Sequence, residues 1–215
     1  MNKIAITVFG ALALLAGGCD WAGIRGNGHI ITDQRTTSAF SEIEADGAFE
    51  IEWHSGAPAL SITTDENLLQ YINNRNIGNR LRLHSQRNLW TTHGIKVVVS
   101  SPTRVGAKLT GATRLTADHL SGAKFAVEST GAARVTLDGN VDALLADMTG
   151  ASKLDAQSLQ TKTAELSTTG AAKADVAVSD TLKVSITGAG KVSYSGNPAT
   201  IEKHVTGAGS IRHKE

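Results

Sequence analysis

The triplet Thr-Gly-Ala occurs six times, at residues 110–112, 130–132, 149–151, 169–171, 187–189 and 206–208. From glycine to glycine the steps are 20, 19, 20, 18 and 19 residues. A near-constant period of this size is the mark of stacked coils, each of which buries its apolar face only against its neighbours. Six residues before the glycines stand Val105, Phe125, Leu144, Ala164, Leu182 and Ile201. Two before stand Leu109, Ser129, Met148, Thr168, Ile186 and Val205. Four after stand Leu115, Val135, Leu154, Ala174 and Val192. These stripes have period 2, so strands flank each corner with one face inward.

Like strands then stack in parallel about 4.8 Å apart. The expected fold is all-β: a parallel β-helix of coils of about 19 residues with Thr-Gly-Ala corners, right-handed by the crossover rule. The corner glycine supplies positive φ or a close approach between coils, and the threonines beside it could ladder their hydroxyls. Aromatics make up only 4% of the chain against 22 glycines and 3 prolines. That composition suits thin, regular layers.

The N-terminus reads Met1-Asn2-Lys3, an apolar run from Ile4 to Leu15, then Ala16-Gly17-Gly18-Cys19. One positive charge, about a dozen apolar residues and a small-residue cleavage zone describe a secretory leader. Cys19, the only cysteine, resembles the lipobox cysteine of bacterial lipoproteins, which implies acylation at Cys19. Asp20 after it resembles an inner-membrane retention signal of enteric bacteria. The expected organisation is a lipoprotein signal peptide over 1–18, a lipidated N-terminus and tether over 19–38, and a β-helical domain over 39–215. Without Lys3 the 21 basic residues become 20, equal to the 20 acidic ones. A neutral chain has no bulk field to attract nucleic acid.

Before the repeats the pattern is looser. Phe40 to Trp53 alternates, and Asp46-Gly47-Ala48 reads as a diverged corner. Leu60 and Ile62 mark a strand. Asp65–Ile72 reads as a short helix with Asp65 as N-cap. Residues 76–79 read as a turn. Leu81 and Leu83, then Ile95, Val97 and Val99, mark two more strands. The order Phe40…Ile43…Gly47…Phe49…Ile51, then Asn67-Leu68-Leu69, then Val97-Val98-Val99-Ser100-Ser101-Pro102, then serial Thr-Gly-Ala corners resembles the GIN domain family of auto-transporter adhesin heads. The resemblance covers about 38–215. It implies a β-helical envelope protein, secreted or lipid-anchored, and carries no catalytic or binding residue over.

Two features are candidate sites. Three residues after the corner glycines stand Arg114, Arg134, Lys153, Lys173 and Lys191, and the sixth copy has Ser210. Stacked, neighbouring cations repel by about 0.9 kcal/mol in water. An anionic partner would offset this; so would the acids nearby, namely Asp155, Asp175, Glu128 and Asp147. Trp90, in a polar loop, is a candidate ligand contact, whereas Trp53 should close the first coil. Seven histidines show no metal-ligand spacing, so neither metal nor cofactor is expected. Asp118 and Asp138, near His119, stack one coil apart and are the only hint of paired catalytic acids.

The expected function is a non-enzymatic, lipid-anchored protein of the bacterial cell envelope, periplasm-facing or at the surface, serving as an adhesin, binding or scaffold module. Its partners would be the membrane, through acylated Cys19, and an envelope or host glycan or protein. The alternative is a β-helical polysaccharide hydrolase or lyase. A third reading, coil ends that stack on a partner, is opposed by the charged end Arg212-His213-Lys214-Glu215.

Overall fold

A computed structural model describes residues 23–214. The segment expected to be a leader, Cys19 and Trp21 lie outside the described residues. Strand β1 (Ile24–Arg25) and β2 (Ile30–Arg35) come first, followed by β3 (Glu42–Gly47), β4 (Glu50–Ser55) and β5 (Ala59–Asp65). A 3-10 helix (Glu66–Tyr71) leads into β6 (Ile72–Ile77), β7 (Arg80–Ser85), β8 (Leu89–Trp90), β9 (Lys96–Ser101) and β10 (Gly106–Gly111). The regular region holds β11 (Arg114–Gly131), β12 (Arg134–Gly150), β13 (Lys153–Gly170), β14 (Lys173–Gly188), β15 (Lys191–Ser195), β16 (Thr200–Gly207) and β17 (Ser210–His213). Together they form a parallel β-solenoid of about five turns.

The corners stack in register, Gly47 beside Gly111, then Gly131, Gly150, Gly170, Gly188 and Gly207. Asp46-Gly47-Ala48 is thus a true corner. The glycine requirement has two sources. Each adopts φ between 95° and 142°, a region L side chains avoid. Each from Gly111 onward also lies so close to the preceding coil that a Cβ would sit 2.5 to 2.8 Å from a glycine carbonyl oxygen. The same carbonyl accepts the next alanine N–H, as in Ala151 N to Gly131 O at 2.8 Å. The threonines beside the glycines are exposed, and no hydrogen bond joins their hydroxyls. The corner is therefore a backbone ladder, not a hydroxyl ladder.

The inward stripes form one continuous core. Leu115, Val135, Leu154, Ala174 and Val192 are buried in it, as are Phe125, Leu144, Ala164 and Leu182. Trp53 closes the first coil: it is fully buried, stacks 6.0 Å from Phe40, packs 6.1 Å from Phe125 and donates Nε1–H to Ser101 Oγ at 2.9 Å. At the far end Lys203 leaves the inward stripe and places Nζ 5.3 Å from the centre of the Tyr194 ring.

The chain order is not the stacking order. The coil of β3 and β4 lies between β10 and β11 on one side and β7 and β9 on the other. Beyond β7 and β9 the pairing turns antiparallel, with β6 on β7, β5 on β9 and β2 on β5. This outer layer pairs the backbone groups that an open solenoid end would leave free.

Three local expectations differ. Residues 23–38 are not wholly a tether, because β1 pairs with β8 and β2 with β5. Residues 72–77 form a strand whose turn is confined to 78–79, with Ile77 largely exposed on it. The helix is a single 3-10 segment, and Asp65 makes no side-chain cap bond to it. Its first N–H, of Glu66, goes to His29 O at 2.9 Å, and the Asp65 carboxylate accepts from donors outside the helix.

Candidate functional site

The five cations after the corners stand on successive coils. Arg114 pairs in register with Arg134, then Lys153, Lys173 and Lys191, and the column ends at Ser210. Below Arg114 the column continues as Glu50 and Lys96. Arg114 Nη1 meets Glu50 Oε1 at 2.8 Å. Among the described residues, Arg134, Lys153, Lys173 and Lys191 make no ion pair. The acids expected to offset them are otherwise engaged or apart. Asp175 binds Lys214 Nζ at 2.6 Å, Glu128 binds Lys108 at 3.0 Å, and Asp155 accepts from Gln157 at 3.3 Å. Four like charges thus line one exposed ridge with no bonded counter-charge.

Trp90 is 53% exposed and lines a cavity of about 870 Å³ beside the first two corners. His84, Gln86, Arg87 and Asn88 share its wall with Asp46, Gly47, Gly111 and Ala112. A second hollow of about 330 Å³ shares Ala48, Ile95 and Ala112 with it and extends to Arg114 and Arg134. The two candidates singled out in the sequence, Trp90 and the cation column, therefore meet on one continuous surface.

Asp65 holds this region together. Its carboxylate is fully buried and accepts from Gly28 N at 2.8 Å, Thr92 N at 2.9 Å and Thr92 Oγ1 at 2.8 Å. It joins the N-terminal segment to the Trp90 loop, which Thr64 Oγ1 also pins through Gly94 O at 2.9 Å. Burial by itself would raise the Asp65 pKa. The Thr92 and Gly28 donors outweigh it and hold the carboxyl below its ordinary value. A depressed folded value contributes stability that is complete above the ordinary pKa of 3.8 and lost as pH falls through the folded value. Asp65→Ala should cost about 2–3 kcal/mol in urea unfolding at pH 7. It should also speed amide exchange in residues 86–94, and the gap from the parent should narrow below pH 3.8.

The acids proposed for an enzyme both contact residues of one bulge. Register shifts between Ala117 and Leu120, and His119 has φ 50°, the one non-glycine positive φ among the described residues. Asp138 Oδ1 accepts the His119 N–H at 3.2 Å. Asp118 is flanked by His54 Nδ1 at 3.1 Å and His119 Nδ1 at 3.4 Å. Partial burial pushes the Asp118 pKa up, but the His54 hydrogen bond and charge pull it further down. Arg104, only 7% exposed, donates to the Trp53, Asp118 and His119 carbonyls at 2.9, 2.6 and 2.8 Å. Both carboxylates are thus engaged in holding the bulge. A further cavity of about 540 Å³ on this side contains Arg80, Lys108, Glu42 and Glu128, whose charges pair with one another. Among the described residues no group of three His, Cys, Asp or Glu is placed to hold a metal ion.

Asp65 stood out in the sequence only as an N-cap, and Arg104 did not stand out. Asp65 acts at separations of 27 and 37 residues and Arg104 at 14, 15 and 51, and neither belongs to the repeat.

The pattern of the family described as "Putative auto-transporter adhesin, head GIN domain" matches residues 39–198. A crystal structure of a "putative adhesin" from Bacteroides fragilis is similar over 89% of this chain and 100% of its own, with 20% identity and a TM-score of 0.72. A "putative adhesin" from Parabacteroides merdae covers 90% of this chain and 99% of its own, with 21% identity and a TM-score of 0.57. A "putative lipid binding protein" from Parabacteroides distasonis covers 90% and 100%, with 21% identity and a TM-score of 0.53. At these identities the likeness is one of fold. No curated protein matches.

Proposed function

The chain belongs to the GIN head-domain family of adhesin-like β-solenoids, and we propose that it is a non-enzymatic binding module of the cell envelope whose cation ridge holds an extended polyanion. The carrying observation is the unpaired column Arg134, Lys153, Lys173 and Lys191. Backbone pairing fixes these cations at the strand spacing of about 4.8 Å. That spacing is comparable with the rise of one sugar unit or of a short polymer repeat. A linear polyanion laid along the coil axis meets one cation per coil, and because the solenoid is rigid the protein loses little freedom on binding.

The lipobox-like segment ending at Cys19 supports placement of this ridge at a membrane, on the periplasmic or outer side. Multiple acyl chains would give durable anchoring. The strands provide a fixed platform, and no helix among the described residues is long and apolar enough to cross a membrane.

Titration of the purified chain with inorganic polyphosphate and with polygalacturonate tests the reading. Both should bind, and more weakly as salt rises, since exposed charges are screened within about 10 Å at 0.1 M. Lys153→Glu with Lys173→Glu should weaken both by at least about tenfold. An unchanged affinity in the double variant would overturn the proposal.

A further inference from the structure

We infer that Trp90 and the cavity beside it form an aromatic end-subsite for a sugar ring, so that the partner of the cation ridge is an acidic polysaccharide. The inference rests on the polyanion reading above and narrows it to one chemical class.

The platform is built into the chain. A Cβ placed on Gly23 would lie 1.7 Å from Trp90 Nε1 and 1.9 Å from Cδ1. The indole therefore lies against the backbone of residue 23, where any larger residue would have to displace the ring. The neighbouring backbone is paired, with Ile24 N donating to Asn88 O at 2.8 Å and Gly26 N to Trp90 O at 2.9 Å. The loop behind it is pinned by buried Asp65. An aromatic ring supported on one side and half exposed is held for an external partner, because burying it would have removed far more apolar surface from water.

The groups around it suit a sugar. Gln86, Asn88 and His84 offer donors and acceptors for hydroxyls, and Arg87 offers a charged fork for a carboxylate or sulfate. A cavity of about 870 Å³ accommodates one to two rings. From there the surface passes over Ala48 and Ala112 to Arg114 and Arg134. The exposed corner alanines Ala132, Ala151 and Ala171 continue it as a low edge, with the cations standing two residues along each strand. A ring stacked on Trp90 therefore starts a chain whose acid groups run up the column. A polyphosphate satisfies the column and gains nothing from the indole. An anionic bilayer could take up Trp90 at its surface but does not follow a ridge running from coil to coil.

The test compares three probes on the purified chain: polygalacturonate, inorganic polyphosphate of matched charge, and phosphatidylcholine–phosphatidylglycerol vesicles. Trp90→Ala should weaken polygalacturonate about tenfold and leave polyphosphate within about twofold, and Trp90→Phe should recover part of the loss. Thermal melting checks that the variants stay folded. Equal loss for polygalacturonate and polyphosphate, or loss for neither, would overturn the sugar subsite. So would vesicle binding that disappears in Trp90→Ala while polygalacturonate binding is unchanged. Failure of the parent chain to bind polyphosphate would instead remove the cation-ridge reading, whatever Trp90 does. Failure to bind polygalacturonate would remove the subsite.

Discussion

Gly150→Ala is expected to destabilise the protein by about 3–4 kcal/mol, although it adds a single methyl group at a solvent-facing corner. Two costs combine. At φ 101° a residue with a Cβ carries strain of about 1–2 kcal/mol. The new Cβ would also lie 2.5 Å from Gly131 O, well inside contact distance. That oxygen cannot move away freely, because it accepts the Ala151 N–H at 2.8 Å and belongs to the coil beneath. Relief requires separating two coils at a corner where the ladder is continuous on both sides. Overpacking of this kind costs a further 1–3 kcal/mol. Gly122→Ala isolates the first cost. Gly122 has φ 134° but nothing within 4 Å of the added methyl, so it should lose only about 1–2 kcal/mol. Urea unfolding midpoints of the two variants decide the matter, and equal losses would refute the backbone-contact account.

The contrast between these glycines explains what was readable in the sequence. A repeat makes each position a column, and a column holds one residue type only where the structure demands it. The corner glycines, the inward Leu and Val stripes and the outward cations could therefore be placed coil by coil. Even Gly47 took its place, although 64 residues separate it from its register partner Gly111. The cap could not be read in this way. Strand β6 carries the polar run Ile-Asn-Asn-Arg-Asn-Ile because it is an edge strand paired on one side with β7, so alternation is faint and the asparagines suggest a turn. Strand β2 lies in a polar segment and is set by its antiparallel partner β5. Asp65, at the start of a short helical pattern, looked like a cap because Asp before such a run commonly is one. It makes no cap bond, because three donors from two distant segments, Gly28 N, Thr92 N and Thr92 Oγ1, take the carboxylate.

The site divides along the same line. The cation column belongs to the repeat and was legible as a column. Whether nearby acids neutralise it depends on side-chain direction. Asp175 turns to Lys214 and Glu128 to Lys108, choices no spacing rule could supply. Trp90 stood out for its polar surroundings, but its proximity to the column depends on how the non-repeating cap folds back beside the first corners.

Arg104→Ala should cost about 3 kcal/mol and act locally, at the first of the register shifts along the long strands, between Ala117 and Leu120. Burial draws the Arg104 pKa below its ordinary value, and the Asp118 carboxylate, 3.9 Å from the guanidinium, opposes this. The side chain stays because it satisfies three carbonyls that the bulge turns away from the ladder, those of Trp53, Asp118 and His119. Hydrogen bonds from a charged donor are worth about 1.5–3 kcal/mol each, and they are not additive when they share one donor group. Without Arg104 these oxygens lose a charged donor beside the cavity of about 540 Å³ that it lines, and His119, at positive φ, keeps the Asp138 bond to its N–H. Arg104→Lys should recover only part of the loss, because an ammonium lacks the planar fork that reaches separate carbonyls. Hydrogen exchange should quicken at residues 119–123 and at the end of β4, while the coils from β13 onward stay protected. A loss of protection spread evenly over all coils would show that the bulge is not held locally by Arg104.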